Sequence, residues 1–269
     1  MSITDSFVHL RNVDSDAVKA IPAGSKYQHW LLDETSGGKN CRIRYEIQPP
    51  GHATKQAHTH PYDQLFYVLS GETTFDIDDT TVTAGPDTLV VVHEGMVHQN
   101  RNVGTLPAEY VTFKYNIRAD ESSDGFSLIK NLGPDERNDN KVPYLRKLER
   151  DYANAAPAGW RHRQWMVNIS SDNGKRCRLA HDTDPPGRGT RRQGKHTHEY
   201  DEVSYVISGE MIWYVGETTL TAGPGSLVVV PEGTVHQFMI RGDVPVEYLT
   251  FDYNLKGFDL LHQHSGINP

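Results

Sequence analysis

His196-Thr197-His198-Glu199-Tyr200-Asp201-Glu202, closed further on by His236, is the stretch on which the reading of this chain turns. On an extended strand, residues two or four apart share a face, so His196, His198 and Glu202 can be turned toward one point. His236 follows a second turn signal, Pro231-Glu232-Gly233, at the start of a later apolar run. Three imidazoles and a carboxylate suit a first-row divalent ion and leave coordination positions open for water, substrate or dioxygen. A lone histidine is more often a polar core or surface residue. Four ligand-type residues at compatible spacing, most of them recurring elsewhere in the chain, favour metal binding instead.

The recurrence is His58-Thr59-His60-Pro61-Tyr62-Asp63-Gln64 with His98. From these histidines onward the two halves match without a gap. Ser70-Gly71-Glu72 meets Ser208-Gly209-Glu210, Thr83-Ala84-Gly85-Pro86 meets Thr221-Ala222-Gly223-Pro224, and Leu89-Val90-Val91-Val92 meets Leu227-Val228-Val229-Val230. The offset is a domain length rather than a solenoid period. The 269 residues therefore read as a duplicated domain, residues 1–135 and 136–269, with a polar connection beginning near 118.

Within each copy the signals are those of β structure. Runs such as Leu65-Phe66-Tyr67-Val68-Leu69 and Val203-Ser204-Tyr205-Val206-Ile207 are short, rich in β-branched and aromatic residues, and end in Ser-Gly. Many short strands punctuated by Gly-Pro and Glu-Gly turns predict an all-β sandwich or barrel. Helix is expected only in short pieces, the best candidate being Lys141 to Ala153. The connection is expected to pack locally around Phe126 and Leu128. His262 and His264 read as a solvated terminus.

Thirty-five acidic against 27 basic residues, a formal net charge of −8, argue against nucleic acid or an anionic membrane as partner. A small molecule is the better expectation. No apolar run is long enough to span a bilayer and Met1-Ser2-Ile3-Thr4-Asp5 lacks signal-peptide features, so a cytoplasmic protein is expected. Cys41 and Cys177 occupy matching places in the two copies and are read as reduced, structural thiols.

The motifs resemble those of the cupin superfamily, in its two-domain bicupin form. The superfamily's first motif is matched by Gly187, His196, His198, Glu202 and Gly209, and its second by Gly225, Pro231, Gly233 and His236. The first half supplies Gly51, His58, His60, Gln64 and Gly71, then Gly85, Gly95 and His98. The resemblance implies two tandem jelly-roll β-barrels, each binding one divalent transition metal (Fe, Mn, Ni, Cu, Co or Zn), in a monomer or homodimer. The expected ligands are His196, His198, Glu202 and His236 in the second half and His58, His60, Gln64 and His98 in the first.

Two departures mark the first half: Gln64 stands where the family has glutamate, and His93 where Pro231 keeps the motif proline. An amide in place of a carboxylate removes one negative charge beside the ion. The first half is then a distinct second metal centre, a decayed structural copy, or a regulatory or metal-free pocket. Three-histidine, one-glutamine centres occur in bicupins resembling the isomerase of bacilysin synthesis.

The leading functional expectation is a metal-dependent dioxygenase similar to the quercetinase-like bicupins. It would act with dioxygen on an enolisable or phenolic molecule, with Glu202 as the catalytic base. The alternative is a non-redox isomerase, cyclase or decarboxylase, and the third is a binding or storage protein. By strand parity Ser204, Val206, Phe238 and Ile240 are expected to line the second cavity and Phe66, Val68 and Asn100 the first, giving largely apolar walls. Arg188, Arg191, Arg192 and Lys195 read as a solvated loop, with a role in attracting an acidic substrate as the alternative.

Overall fold

The computed structural model describes residues 9–117, 127–128, 145–154, 157, 159–168, 177–188, 194–255 and 266–268. Up to residue 147 the strands are β1 (Leu10–Asn12), β2 (Tyr27–Leu32), β3 (Cys41–Gln48), β4 (His58–Thr59), β5 (Asp63–Ser70), β6 (Thr73–Ile77), β7 (Thr80–Ala84), β8 (Thr88–Val92), β9 (His98–Arg101), β10 (Ala108–Tyr115), β11 (Ser127–Leu128) and β12 (Leu145–Lys147). The second half has β13 (Arg161–Val167), β14 (Cys177–Asp184), β15 (Asp201–Ser208), β16 (Glu210–Val215), β17 (Thr218–Ala222), β18 (Ser226–Val230), β19 (His236–Arg241), β20 (Val246–Tyr253) and β21 (Gly266–Asn268). Helix among the described residues is limited to Ser15–Lys19, Arg150–Asn154 and a 3-10 turn at Glu34–Ser36.

These strands form two compact units, each with one large and one small antiparallel sheet. In the unit Val13–Lys147 the sheet orders are β12-β8-β5-β10-β3-β2 and β11-β4-β9-β6-β7. In the unit comprising Met1–Asn12 and Leu148–Pro269 they are β1-β18-β15-β20-β14-β13-β21 and β17-β16-β19. The all-β tandem jelly roll expected from sequence is the observed architecture. Apolar side chains of the two sheets meet in each interior: Phe66, Val68, Phe75, Val90 and Tyr110 in one unit, Val206, Trp213, Val228, Phe238 and Tyr248 in the other. Cys41 and Cys177 are buried and neither forms a disulfide.

The boundary differs from the expectation of 135/136. Leu145 pairs in register with Val90 and Leu10 with Val228, so β12 completes the sheet of the first unit and β1 that of the second. The physical reason lies in β8 and β18, whose outer backbone groups would otherwise form open edges. Leu10-Arg11-Asn12 and Leu145-Arg146-Lys147 are a further, short repeat that carries this swap in plain sight. The helix expected over 141–153 is consequently a strand at Leu145–Lys147 and a single helical turn at Arg150–Asn154. Residues 141–144, Phe126, His262 and His264 lie outside the described residues. Ser127–Leu128 pairs with β4.

Gly71 and Gly209 show why the Ser-Gly-Glu turn is repeated. Both sit at positive φ, 68° and 77°, between consecutive strands. A Cβ on Gly71 would stand 2.1 Å from the Pro107 carbonyl oxygen, and one on Gly209 2.6 Å from that of Pro245. Gly209→Ala is therefore expected to destabilise the second unit by about 1–3 kcal/mol, the usual cost of a strained non-glycine backbone. The check is chemical denaturation followed by Trp213 fluorescence. An unchanged midpoint would mean that β15 and β16 relax around the new methyl.

Candidate metal centres

In each unit the small sheet and the large sheet bring the motif residues to one place. His58 on β4 pairs directly with His98 at the start of β9. His196 and His236 form the same bridge in the second unit, with N–H···O bonds of 3.0 and 2.8 Å exchanged between them. Gln64 and Glu202 arrive from the large sheets, on β5 and β15. The ring centroids of His58 and His98 are 4.3 Å apart and those of His196 and His236 4.2 Å. Potential ligand atoms of His58, His60 and His98 lie within 4.8 Å of one another, as do those of His198, Glu202 and His236. His196, 6.2 Å from His198 by ring centroid, borders the latter group.

All six imidazoles are oriented in the same manner. Each Nδ1 lies within hydrogen-bonding distance of a backbone carbonyl two residues away: His60 and Tyr62 at 2.8 Å, His98 and Met96 at 3.1 Å, and His58 and Gln56 at 3.2 Å. The second unit repeats this with His198 and Tyr200 at 2.7 Å, His236 and Thr234 at 2.9 Å, and His196 and Gly194 at 3.4 Å. A proton fixed on Nδ1 turns the Nε2 lone pair inward, the tautomer a metal ligand requires. Burial holds His58, His98 and His236 below the ordinary imidazole range and, with Lys114 nearby, brings His60 to about 4. In these four rings the shift favours the neutral form.

The inward atoms test whether a metal fits. Nε2 of His198 and of His236 are buried and form no hydrogen bond among the described residues, a costly state for an imidazole nitrogen unless a cation completes it. Glu202 Oε2 stands 3.8 Å from His198 Nε2. In the first unit Gln64 Oε1 and His60 Nε2 face each other at 2.7 Å. With the proton on Nδ1, both are acceptors, an arrangement that suits two ligands of one cation. The donor sets fit a divalent ion at both places, through His58, His60, His98 and Gln64 in one unit and His196, His198, His236 and Glu202 in the other.

Support for these ligands comes from residues that the motif reading passed over. Asp63 Oδ1 accepts the Glu94 backbone N–H at 3.0 Å and lies 3.1 Å from His93 Nδ1, while Oδ2 accepts from Asn116 at 2.9 Å. Asp201 does the same for Glu232 N–H at 3.1 Å and Asn254 at 2.6 Å. These aspartates pin the turn that delivers His98 or His236. The backbone N–H groups of Gly95 and Gly233 tie that turn to the carbonyls of His60 and His198. His93 replaces the motif proline and joins the staple. Aspartate and asparagine recur at equal offsets in both halves, the signal that would have revealed them. Tyr62 and Tyr200 stack on His60 and His198 at 4.0 and 3.9 Å between centroids.

Each centre opens into a cavity, about 700 Å³ in the first unit and about 710 Å³ in the second. Ser204, Phe238, Phe66 and Asn100 line them as expected by parity, whereas Val206, Ile240 and Val68 belong to the apolar cores. The expectation of largely apolar walls is overturned in the second cavity, whose lining is mainly polar, while the first keeps a mainly apolar lining. Arg161, Arg163 and Arg178 line the second cavity, and Lys26, Arg44 and Lys114 the first. The arginines come from β13 and β14, upstream of the motifs, where strand parity alone could not show which sheet face meets the ion.

Buried acids hold the arginines and Lys26 in place. Asp182 accepts from Arg163 at 2.7 and 2.9 Å, from Arg161 at 2.8 Å and from Thr250 at 2.8 Å. Burial opposes its ionisation, but Arg161 and Arg163 hold the carboxyl well below the ordinary range. Glu46 does the same in the first unit, accepting from Gln28 at 2.6 Å, Arg44 at 2.7 Å and Thr112 at 2.9 Å. Near the second centre burial and Glu202 raise Asp252, against Arg178 2.6 Å away. Arg188 is tied to Asp184 at 3.3 Å, Lys195 is exposed, and Arg191 and Arg192 lie outside the described residues.

Comparison with known proteins agrees with this architecture. Solved structures of Bacillus subtilis oxalate decarboxylase superpose on the chain; one determined at pH 4.6 gives a TM-score of 0.64 at 17% identity, covering 86% of this chain and 73% of that one. A single-residue variant of the same enzyme gives 0.67 at 16% identity, covering 87% and 74%. A cupin 2 conserved barrel domain protein from Leptotrichia buccalis gives 0.61 at 10% identity, covering 91% and 96%. At these identities the likeness is one of fold. No curated protein sequence matches the chain. The cupin domain family matches it twice, over residues 44–114 and 183–252, each span running from the central strands through the ligand set of one unit. The chain belongs to the cupin family, with one cupin barrel in each half.

Proposed function

We propose that this bicupin is a metal-dependent enzyme that oxidises a small, enolisable carboxylic acid with dioxygen at its second centre. The observation that supports this is the union of an open three-histidine, one-glutamate set with a cavity of about 710 Å³ walled by Arg161, Arg163 and Arg178. That volume lies in the range of small-molecule sites. The arginines suit a carboxylate better than the neutral aromatic substrate that apolar walls would have favoured. A divalent ion there would supply Lewis acidity and, if redox-active, a path for electrons to dioxygen. Glu202 accepts the proton released as the acid enolises. Trp213 and Phe238 supply the apolar part of that cavity's wall.

A second reading, non-redox isomerisation or decarboxylation, is favoured by one feature of the first centre. Gln64 leaves it without a carboxylate ligand, and Lys114 lies in register beside it, so negative charge developing on a substrate is stabilised without a change of oxidation state. A storage role, the third expectation, has no feature of the cavities in its favour.

Oxygen uptake separates the two readings. The chain loaded with iron or manganese is expected to consume oxygen with enolisable acids and to lose turnover when zinc replaces the redox metal. Equal product formation without oxygen and with zinc would reject the dioxygenase reading in favour of the second.

A further inference from the structure

The two cavities repeat each other in volume and ligand geometry but not in charge. Gln64 on β5 and Lys114 on β10 are register partners across the large sheet of the first unit. The matching partners in the second unit are Glu202 on β15 and Asp252 on β20. Both pairs line their cavities beside the three histidines. Arg178 partly offsets the two acids through Asp252. Its counterpart Arg42 instead reaches Glu34, Nε to Oε2 at 2.6 Å, and does not line the first cavity. Beside the ligands, then, the second centre carries two acids against Arg178, its other arginines Arg161 and Arg163 being held by Asp182, whereas the first carries Lys114.

Lys114 is held in that position. It is buried, its Nζ donates to Tyr62 Oη at 3.3 Å and lies 5.4 Å from the Tyr62 ring centroid, and that ring stacks on His60. The ammonium is thus one aromatic ring from a ligand, while Arg44 and Lys26 on the same cavity wall are paired with Glu46. A divalent cation entering here meets a fixed like charge and gains no carboxylate from Gln64. A small anion bound between the cation and Lys114 would offset both charges at once.

We propose that the first centre is a joint site for a divalent cation and a small carboxylate, in which Lys114 faces the anion, and that it holds the cation weakly until that anion is present. This rests on the reading of the cavities as sites for a small organic acid, but makes no use of turnover. The second centre, with Glu202 and Asp252, holds its cation without such help. Coupling of this kind is reciprocal: the anion tightens the cation by the same factor as the cation tightens the anion.

The test is titration of the full chain with Mn²⁺, free ion being read by electron paramagnetic resonance, in the presence of pyruvate or of its neutral methyl ester. Two classes of site are expected. The tight class is lost in His196→Ala and fills without either additive; the weak class is lost in His58→Ala and fills only with pyruvate, not with the ester, being tightened by about tenfold or more. Lys114→Met should abolish the pyruvate effect, and Gln64→Glu should tighten the weak class without pyruvate. Two equal classes without pyruvate, a pyruvate effect confined to the class lost in His196→Ala, or tightening of the class lost in His58→Ala that survives in Lys114→Met would each overturn the proposal. Circular dichroism of each variant identifies any that fails to fold, and the wild-type comparison of pyruvate with its ester decides the matter without them. Coupled binding with no turnover would uphold this inference while rejecting the enzymatic reading; turnover without coupling would do the reverse.

Discussion

His198→Ala should strip the second centre of its metal and, with it, of activity. Changing a residue that merely orients a ligand lowers metal affinity or activity by about 10–100-fold; removing the ligand itself should exceed that range. His198 is the appropriate choice because its Nε2 is buried, lacks a hydrogen-bond partner among the described residues and stands 3.8 Å from Glu202. The fold should tolerate the change, since Asp201 still pins the Pro231 turn and the His196–His236 bridge uses backbone atoms. Elemental analysis of wild type and variant, each purified without added metal, gives the stoichiometry, and thermal unfolding gives the stability. Retention of both metal and turnover would exclude His198 as a ligand. Loss of stability with turnover intact would assign the ion a structural role.

Asp182→Asn should produce the largest loss of stability. The side chain is fully buried and accepts from Arg161, Arg163 and Thr250. Removing its charge leaves two arginines at the cavity wall without their principal anion, the situation that costs about 3–5 kcal/mol when one partner of a buried ion pair is lost. Asp184, 3.6 Å from Arg161 Nε, compensates in part. The pH dependence supplies an independent check. The folded carboxyl ionises below its unfolded value of about 4, so the unfolded chain binds the proton first as pH falls. The stabilisation is complete above about pH 4 and declines as pH drops through the folded-state value. Denaturant midpoints of the second unit measured from pH 7 downward should therefore fall less steeply in Asp182→Asn than in wild type, from a lower starting level. Parallel curves would mean that Asp182 is not ionised in the folded chain.

Asp182 also marks the limit of what the sequence disclosed. Duplication, β class and all eight candidate ligands could be read because each leaves a local trace: a period-two pattern, a Gly-Pro turn, a His-x-His pair that recurs at the same offset. The swap of β1 and β12 left a trace as well, in the repeated Leu-Arg dipeptide, but three residues are too short to outweigh a helical propensity reading. The cavity walls left none. Lys114 and Asp252 sit in strands whose alternation looks alike in both halves, and Arg161 and Arg163 precede every motif of the second half.

By itself the sequence determined that two copies of one barrel are present and which side chains could ligate an ion, since strand periodicity and turn chemistry act over a few residues. It also placed the difference between Glu202 and Gln64 in view. Only the tertiary structure decided what surrounds those ligands. Pairing β5 with β10 and β15 with β20 sets Lys114 beside Gln64 and Asp252 beside Glu202. The charge of each centre is therefore a sum over strands distant in the chain, brought within Coulombic range by sheet register.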